Sequence, residues 1–314
     1  MIEIKRYNCS DKKNWNDFLA KSRIDTFLFN RDFMDYHSDR FKDFSYMIYK
    51  KGKLEALLPG NIDNQTFYTH QGLTYGGIVS STKFHLMDYI SSFDLINEDL
   101  RHNGVKEVIY KPTPFIYHKI PNQEELYVLF KLNAKKIGCN ISSTIFQKNK
   151  ISFNESRKSG IRKAKKNNIT IQENTEFETF WSILIDNLLT THETYPTHNI
   201  DEIRLLKSRF PDNIKLYLTK IEEIVIGGCV LFIMENIIHV QYISASEQGK
   251  ALGALDLLFD ELINCTFSHI PLFDFGQSTE NSGLLLNNNL IFQKEGFGGR
   301  GVVYDIYKYE IDPL

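Results

Sequence analysis

Cysteine is scarce in this chain: Cys9, Cys139, Cys229 and Cys265 are scattered through 314 residues, with no CxxC spacing. That argues against a disulfide scaffold and a cysteine zinc site, and is read as free thiols of a reducing compartment. Long hydrophobic runs are missing too. The longest, Ile224–Met234, falls short of the roughly 18 residues a membrane span needs and reads as a strand. The opening stretch MIEIKRYNCSDKKNW has no apolar signal-peptide core. A cytoplasmic protein without integral membrane association is expected. Charge of one sign is lacking as well, since the net charge is −2 and the pI about 6.5. Neither DNA nor an anionic bilayer is therefore attracted by the molecule as a whole. No P-loop, HExxH, GxSxG, EF-hand or clean dinucleotide fingerprint is present, and the lone thiols have no matching nucleophilic triad. No metal site is expected.

Core material is plentiful, with 42% hydrophobic and 13% aromatic residues. The length suits two domains of roughly 150 residues each. Ser45–Tyr49, the turn KKGK and Leu54–Leu58 read as a hairpin. Thr66–His70 reads as a further strand, followed by a glycine-punctuated loop, Gln71–Gly77. Leu86, Ile90, Phe93, Ile96 and Leu100 recur at helical spacing and stop at Asn103-Gly104, before a strand at Val105–Tyr110. The second half repeats the order. Strands are expected at Lys215–Thr219, Val225–Met234 and Ile237–Ser244. A polar loop (Ala245–Lys250), a helix (Leu252–Asn264) and a strand (Pro271–Phe275) follow. Self-similarity at half the chain length implies a duplicated domain. The expected fold is α/β (α+β), as two tandem domains, 1–150 and 151–314. Each should hold a mixed, mostly antiparallel sheet that splays at its glycine-bearing loop.

Four stretches carry candidate chemistry. Ser244, Ala245, Ser246, Gln248, Gly249, Lys250, Ala251, Leu252 and Gly253 join a strand to a helix expected to start near Ala251. Amides at a helix start attract anions, and small residues let a pyrophosphate approach the main chain. Asp274 stands in the otherwise apolar strand Leu272–Phe275, so this carboxylate needs partners or water. The polar turn after it holds Gln277 and Ser278, with Lys294 further on. Six of the ten residues Arg157–Lys166, among them Arg162 and Lys163, are basic, which gives a solvated helix face or a phosphate contact. Thr191–His198 gathers His192, Glu193, Tyr195 and His198 in a loop between two helices, where imidazole or a desolvated carboxylate can take a proton near neutrality.

The strand, Asp274-Phe-Gly, polar turn, short helix, Lys294-Glu-Gly-Phe-Gly and Tyr-bearing last strand together resemble the FemABX-like double-GNAT acyltransferases. Gln248-Gly-Lys-Ala-Leu-Gly253 resembles their Gln/Arg-x-x-Gly-x-Gly/Ala acyl-CoA phosphate loop, with Ala251 in place of the first glycine. The resemblance implies an N-acyltransferase that takes an acyl group from acyl-CoA, bound at residues 244–253, to an amine. The amine would be an amino sugar of a cell-surface polysaccharide precursor, on a nucleotide or lipid carrier. Glu193, His192 or Asp274 would be the base. The His192–His198 loop would face the turn after Asp274 across one cleft. Gln277, Ser278, Lys294, Arg162, Lys163, Tyr195 and His198 would contact substrate. The first domain would be a degenerate GNAT unit whose loop, with His70, Gln71 and Tyr75, meets the acceptor. Two other functions stay open: an aminoacyl-tRNA-dependent transferase, disfavoured by neutral charge and no room for a helical tRNA arm, and a non-catalytic binding protein of the same fold.

Overall fold

The computed structural model describes residues 1–192 and 194–311, the side chains of Thr191 and His192 excepted. Its contacts divide the chain into two units. Unit 1 is built from Met1–Ile141, Thr279–Leu285 and the stretch from Val303 on; unit 2 is Ser142–Ser278 with Leu286–Val302. The cut expected at 150 is thus replaced by an interleaved division. The strands Lys135–Phe146 and Arg300–Glu310 each begin in one unit and end in the other.

In unit 1 the strands Ile2–Arg6, Tyr46–Lys50, Lys53–Leu58 and Val79–Ser80 form an antiparallel sheet. Glu107–Tyr110 pairs in parallel with Thr66–Tyr68 and antiparallel with residues 307–310. The expected helix spans Leu86–His102, opened by a capping box between His85 and Asp88 and followed by Gly104 at φ 76°. It buries Tyr89, Phe93, Ile96 and Leu100 in a core with Tyr46, Ile48 and Val128.

Unit 2 runs Thr170–Asn174, Ile214–Ile221, Ile224–Ile233, Ile237–Ala245, Leu272–Gln277 and then residues 142–146. Every pairing in it is antiparallel except that of 237–245 with 272–277. One face packs the helix Ala254–Glu261 through Phe259 against Phe273, Phe275 and Phe297. The basic helix is Glu155–Lys166, capped by Asn154.

Both units repeat strand, strand, strand, helix, strand, as expected. Two details differ. In unit 1 the third strand of the repeat is Val79–Ser80, because it pairs with Ala56 and Leu57 as 237–245 pairs with 227–233. The alternating segment Thr66–Tyr68 belongs instead to an inserted hairpin with Asn61–Asp63. The loop 71–77 therefore precedes the third strand, and Ser81–His85, not that loop, corresponds to the segment leading into the unit 2 helix. In unit 2 the helix expected from 252 begins at Glu247. It breaks at Gly253, which is left-handed at φ 74°, and resumes as Ala254–Glu261 before a π-helical turn at Leu262–Thr266. Ser246 sets the earlier start, because its side chain accepts from the amide of Gly249 at 3.1 Å.

Candidate active site

The parallel ladder of unit 2 is short: Ile237↔Leu272, Ile238↔Phe273 and His239↔Asp274 are its matched positions. Beyond them the two strands part. Side chains alternate along a strand. Ile238, Val240, Phe273 and Phe275 fill the core, so His239 and Asp274 take the opposite face, side by side at the point of parting.

Asp274 is fully buried. Its Oδ1 accepts from the hydroxyls of Ser142 and Thr144, the latter at 2.8 Å, and its Oδ2 is 2.7 Å from His239 Nδ1. Burial alone would push this carboxyl up. His239 and the two hydroxyls outweigh it and hold the group below the usual carboxylate range. A carboxylate there receives the Nδ1–H of His239 and fixes the tautomer in which Nε2 is the acceptor. Gly276, at φ 73°, keeps room for that ring, since a Cβ there would lie 3.2 Å from His239 Cε1.

Lys294, from the helix Asn288–Gly296, donates to the carbonyls of Gly276 and Gln277 at 2.8 Å each, where strand 272–277 ends. Only 3% exposed, it forms no ion pair within 4 Å among the described residues; burial brings it down to about 7, and the charge of Asp274 opposes that only partly. The unfolded lysine titrates near 10.5, so between about pH 7 and 10 the unfolded state holds the extra proton and this group makes stability rise with pH. Comparing wild type with Lys294→Met by denaturant unfolding at pH 6.5 and 9.5 should show the difference shifting towards wild type at the higher pH. An equal difference at both would mean that Lys294 does not titrate there. Next along the chain, Ser278 Oγ is buried without a hydrogen-bond partner among the described residues.

His198 is buried and meets Tyr242, on the same strand as His239. Its backbone N–H donates to the phenol oxygen at 3.2 Å, and Nδ1 lies 2.5 Å from that oxygen. Tyr195 is exposed. Glu193 and the side chain of His192, two of the three expected bases, lie outside the described residues. Asp274, the third, is enclosed, with Ser142, Thr144 and His239 as its hydrogen-bond partners.

The 244–253 junction is built for packing. Ser244 receives a bond from Asn187 Nδ2 at 2.7 Å, and Lys250 donates to Asn187 and Glu247 at 2.7 Å each. A Cβ at Gly249 would lie 2.1 Å from Ile226 O, and one at Gly253 2.4 Å from Gly160 O. Ala251 and Leu252 lie inside the short helix, whose first turn carries Glu247, an acid at the end that favours anions. Gln248 follows in the same turn. Arg162 pairs with Glu155 on the exposed face of its helix, where Lys163 is also exposed.

His70, Gln71 and Tyr75 belong to unit 1. Gln71 is tied to Asn61 by two bonds, of 2.6 and 2.7 Å. Tyr75 is core, 2% exposed, between Phe29 and Tyr117, with its hydroxyl 3.0 Å from Thr26 Oγ1. His70 stacks on His37, and its Nδ1 is buried without a hydrogen-bond partner among the described residues.

Sequence reasoning missed His239, Ser142 and Thr144. The signal for His239 was parity: a histidine on the alternate positions of an apolar strand, as Asp274 is on its own.

No protein-family model matches the sequence, and neither does any curated protein. Solved structures do match in fold. FemX superimposes at a TM-score of 0.70 with 11% identity, over 98% of this chain and 97% of FemX. The C-terminal domain of a putative lysylphosphatidylglycerol synthetase from Agrobacterium fabrum gives 0.61 with 12% identity, over 98% and 92%. A tandem GNAT protein from the clavulanic acid biosynthesis pathway gives 0.56 with 10% identity, over the whole of both chains. Over these lengths the chain has the FemX-like tandem GNAT fold.

Proposed function

We propose that this protein transfers an acyl or aminoacyl group from an activated ester or thioester to an amine, at the parting of strands 237–245 and 272–277. The observation that carries this is the pairing of buried Asp274 with partly buried His239 at the last matched position of the parallel ladder. Where neighbouring strands of an open sheet part at their carboxyl ends, a crevice forms that suits a ligand. The amine nitrogen attacks the carbonyl carbon and must lose a proton as the N–C bond forms. His239 Nε2 takes it, and Asp274 stabilises the imidazolium. The C–S or C–O bond then breaks, and the same proton goes to the leaving group. The Lys294 ammonium provides positive charge for the developing oxyanion. Ser278 is a substrate hydrogen-bond partner in this scheme. The likeness to FemX and to a tandem GNAT protein supports the reaction class.

Acyl-CoA is the proposed donor, and an amino sugar of a surface-polysaccharide precursor the acceptor. The capped Ser246 junction with Glu247 in its first turn is a poor pyrophosphate cradle, which keeps aminoacyl-tRNA as the second reading. Thermal unfolding with a panel of acyl-CoAs, and in parallel with charged tRNA, separates the two. A donor at a hundred times its Kd should add about 2.7 kcal/mol to apparent stability. Stabilisation by tRNA alone would replace the donor, and no effect from either class would overturn the proposal.

A further inference from the structure

Unit 1 holds a small, partly open cavity of about 80 Å³ that has no part in the chemistry above. The segment Pro112–Phe115, the helix start at Asn122–Leu126 and the last strand at Val303 and Asp305 line it. Two carboxyl-bearing residues, Glu125 and Asp305, are among those that line it. Glu125, 1% exposed, accepts through Oε2 from the amide of Ile78 at 2.8 Å and the hydroxyl of Tyr110 at 2.6 Å. Among the described residues no hydrogen bond reaches its Oε1. Asp305 pairs through Oδ2 with Lys136 at 3.0 Å and accepts from Tyr307 at 3.2 Å, while its Oδ1 is buried without a hydrogen-bond partner among the described residues.

A buried acceptor left unmade costs about 1–3 kcal/mol, more when charged. Asp305 Oδ1 is such an acceptor, and it shares the lining of one small cavity with Glu125, whose Oε1 has no hydrogen bond among the described residues; a donor inside the cavity would serve both. We propose that this cavity is a subsite for a primary ammonium group on a short alkyl chain, held between Glu125 and Asp305. An ammonium offers three N–H donors to the two open oxygens. Pro112, Pro114, Leu126 and Val303 give methylenes an apolar wall. The space suits a group of roughly three or four heavy atoms. A calcium ion would want six to eight oxygens, which two carboxyl groups do not supply. Burial brings Glu125 to about 7, so a cation beside it would also draw the group into its ionised form. Gly77 is part of the design: at φ 89°, its missing Cβ would lie 2.7 Å from Glu125 Oε2.

The test uses the full chain and n-propylammonium chloride, with n-propanol as the neutral isostere, sodium chloride to match ionic strength, and calcium chloride as the metal control. Thermal midpoint and ligand-observed NMR are both read. The ammonium should raise the midpoint by several degrees and show saturation transfer, and n-propanol should do neither. Asp305→Asn and Glu125→Gln should each lose at least tenfold in affinity. Should Glu125→Gln fail to fold, Val303→Trp decides, because that half-exposed residue lines the cavity and a bulkier side chain there can fill it while both carboxyl groups are kept. Equal response to n-propanol, a larger response to calcium, or binding that persists in both Asp305→Asn and Val303→Trp would overturn the assignment and leave a water-filled space. The result is independent of the transferase reading, since every residue involved belongs to unit 1.

Discussion

His239→Ala should lower turnover by about a hundredfold to ten-thousandfold, with donor affinity nearly unchanged, because only the proton acceptor is lost. Asp274→Asn should fall in the same range although the side chains are nearly identical in size. An amide at 274 can donate to Nδ1, which moves the imidazole proton to Nε2 and leaves no acceptor facing substrate. The two losses should not add in the double variant, since both disable one unit. The measurement is kcat and KM separately, with circular dichroism to show that each variant is folded. Wild-type turnover in His239→Ala would remove His239 as the base. If Glu193→Gln then lost activity, the base would lie in the 192–198 segment.

Gly253→Val should cost about 2–4 kcal/mol and lower the melting midpoint by roughly 5–15 °C. Its φ of 74° disfavours a branched residue, and a Cβ there would overlap the carbonyl of Gly160 at 2.4 Å. Gly160 is equally confined, with its missing Cβ 1.8 Å from Asp256 Oδ2, so neither helix can back away cheaply. Gly253→Ala should cost less than valine, and calorimetry orders the series. An unchanged midpoint for valine would show that the contact yields. Loss of CoA binding in such a variant would therefore say nothing about a phosphate loop, because the fold itself is disturbed.

That glycine shows how far the chain could be read unaided. Gln248-Gly-Lys-Ala-Leu-Gly253 has the spacing of a phosphate loop, yet Gly249 and Gly253 serve contacts with Ile226 and Gly160, which lie far away in sequence. Local pattern carries no record of which distant backbone a glycine must clear. The repeated element order was legible because hydrophobic periodicity is local, as in Leu86–Leu100 and the apolar strands of unit 2. The inserted hairpin at 61–68 was misplaced because strand pairing is non-local, and Thr66–Tyr68 alternates as well as any third strand would. Asp274 stood out as a charge in an apolar strand. His239 did not, since its meaning depends on a parallel register with a strand that begins at Leu272.

The interleaved division of the chain bears on how the protein is made. Val303–Glu310 belongs to unit 1, yet it is synthesised only after the whole of unit 2. Pairs such as Tyr307↔Tyr110 and Glu310↔Glu107 close loops of about 200 residues, and such closures are slow. On the ribosome, Glu107–Tyr110 must wait with that edge unpaired while the intervening polypeptide emerges. An unpaired strand edge invites association with other chains. A fragment stopping at Ile141 should therefore aggregate where the full chain does not, and supplying residues 300–311 as a separate peptide should rescue part of its solubility.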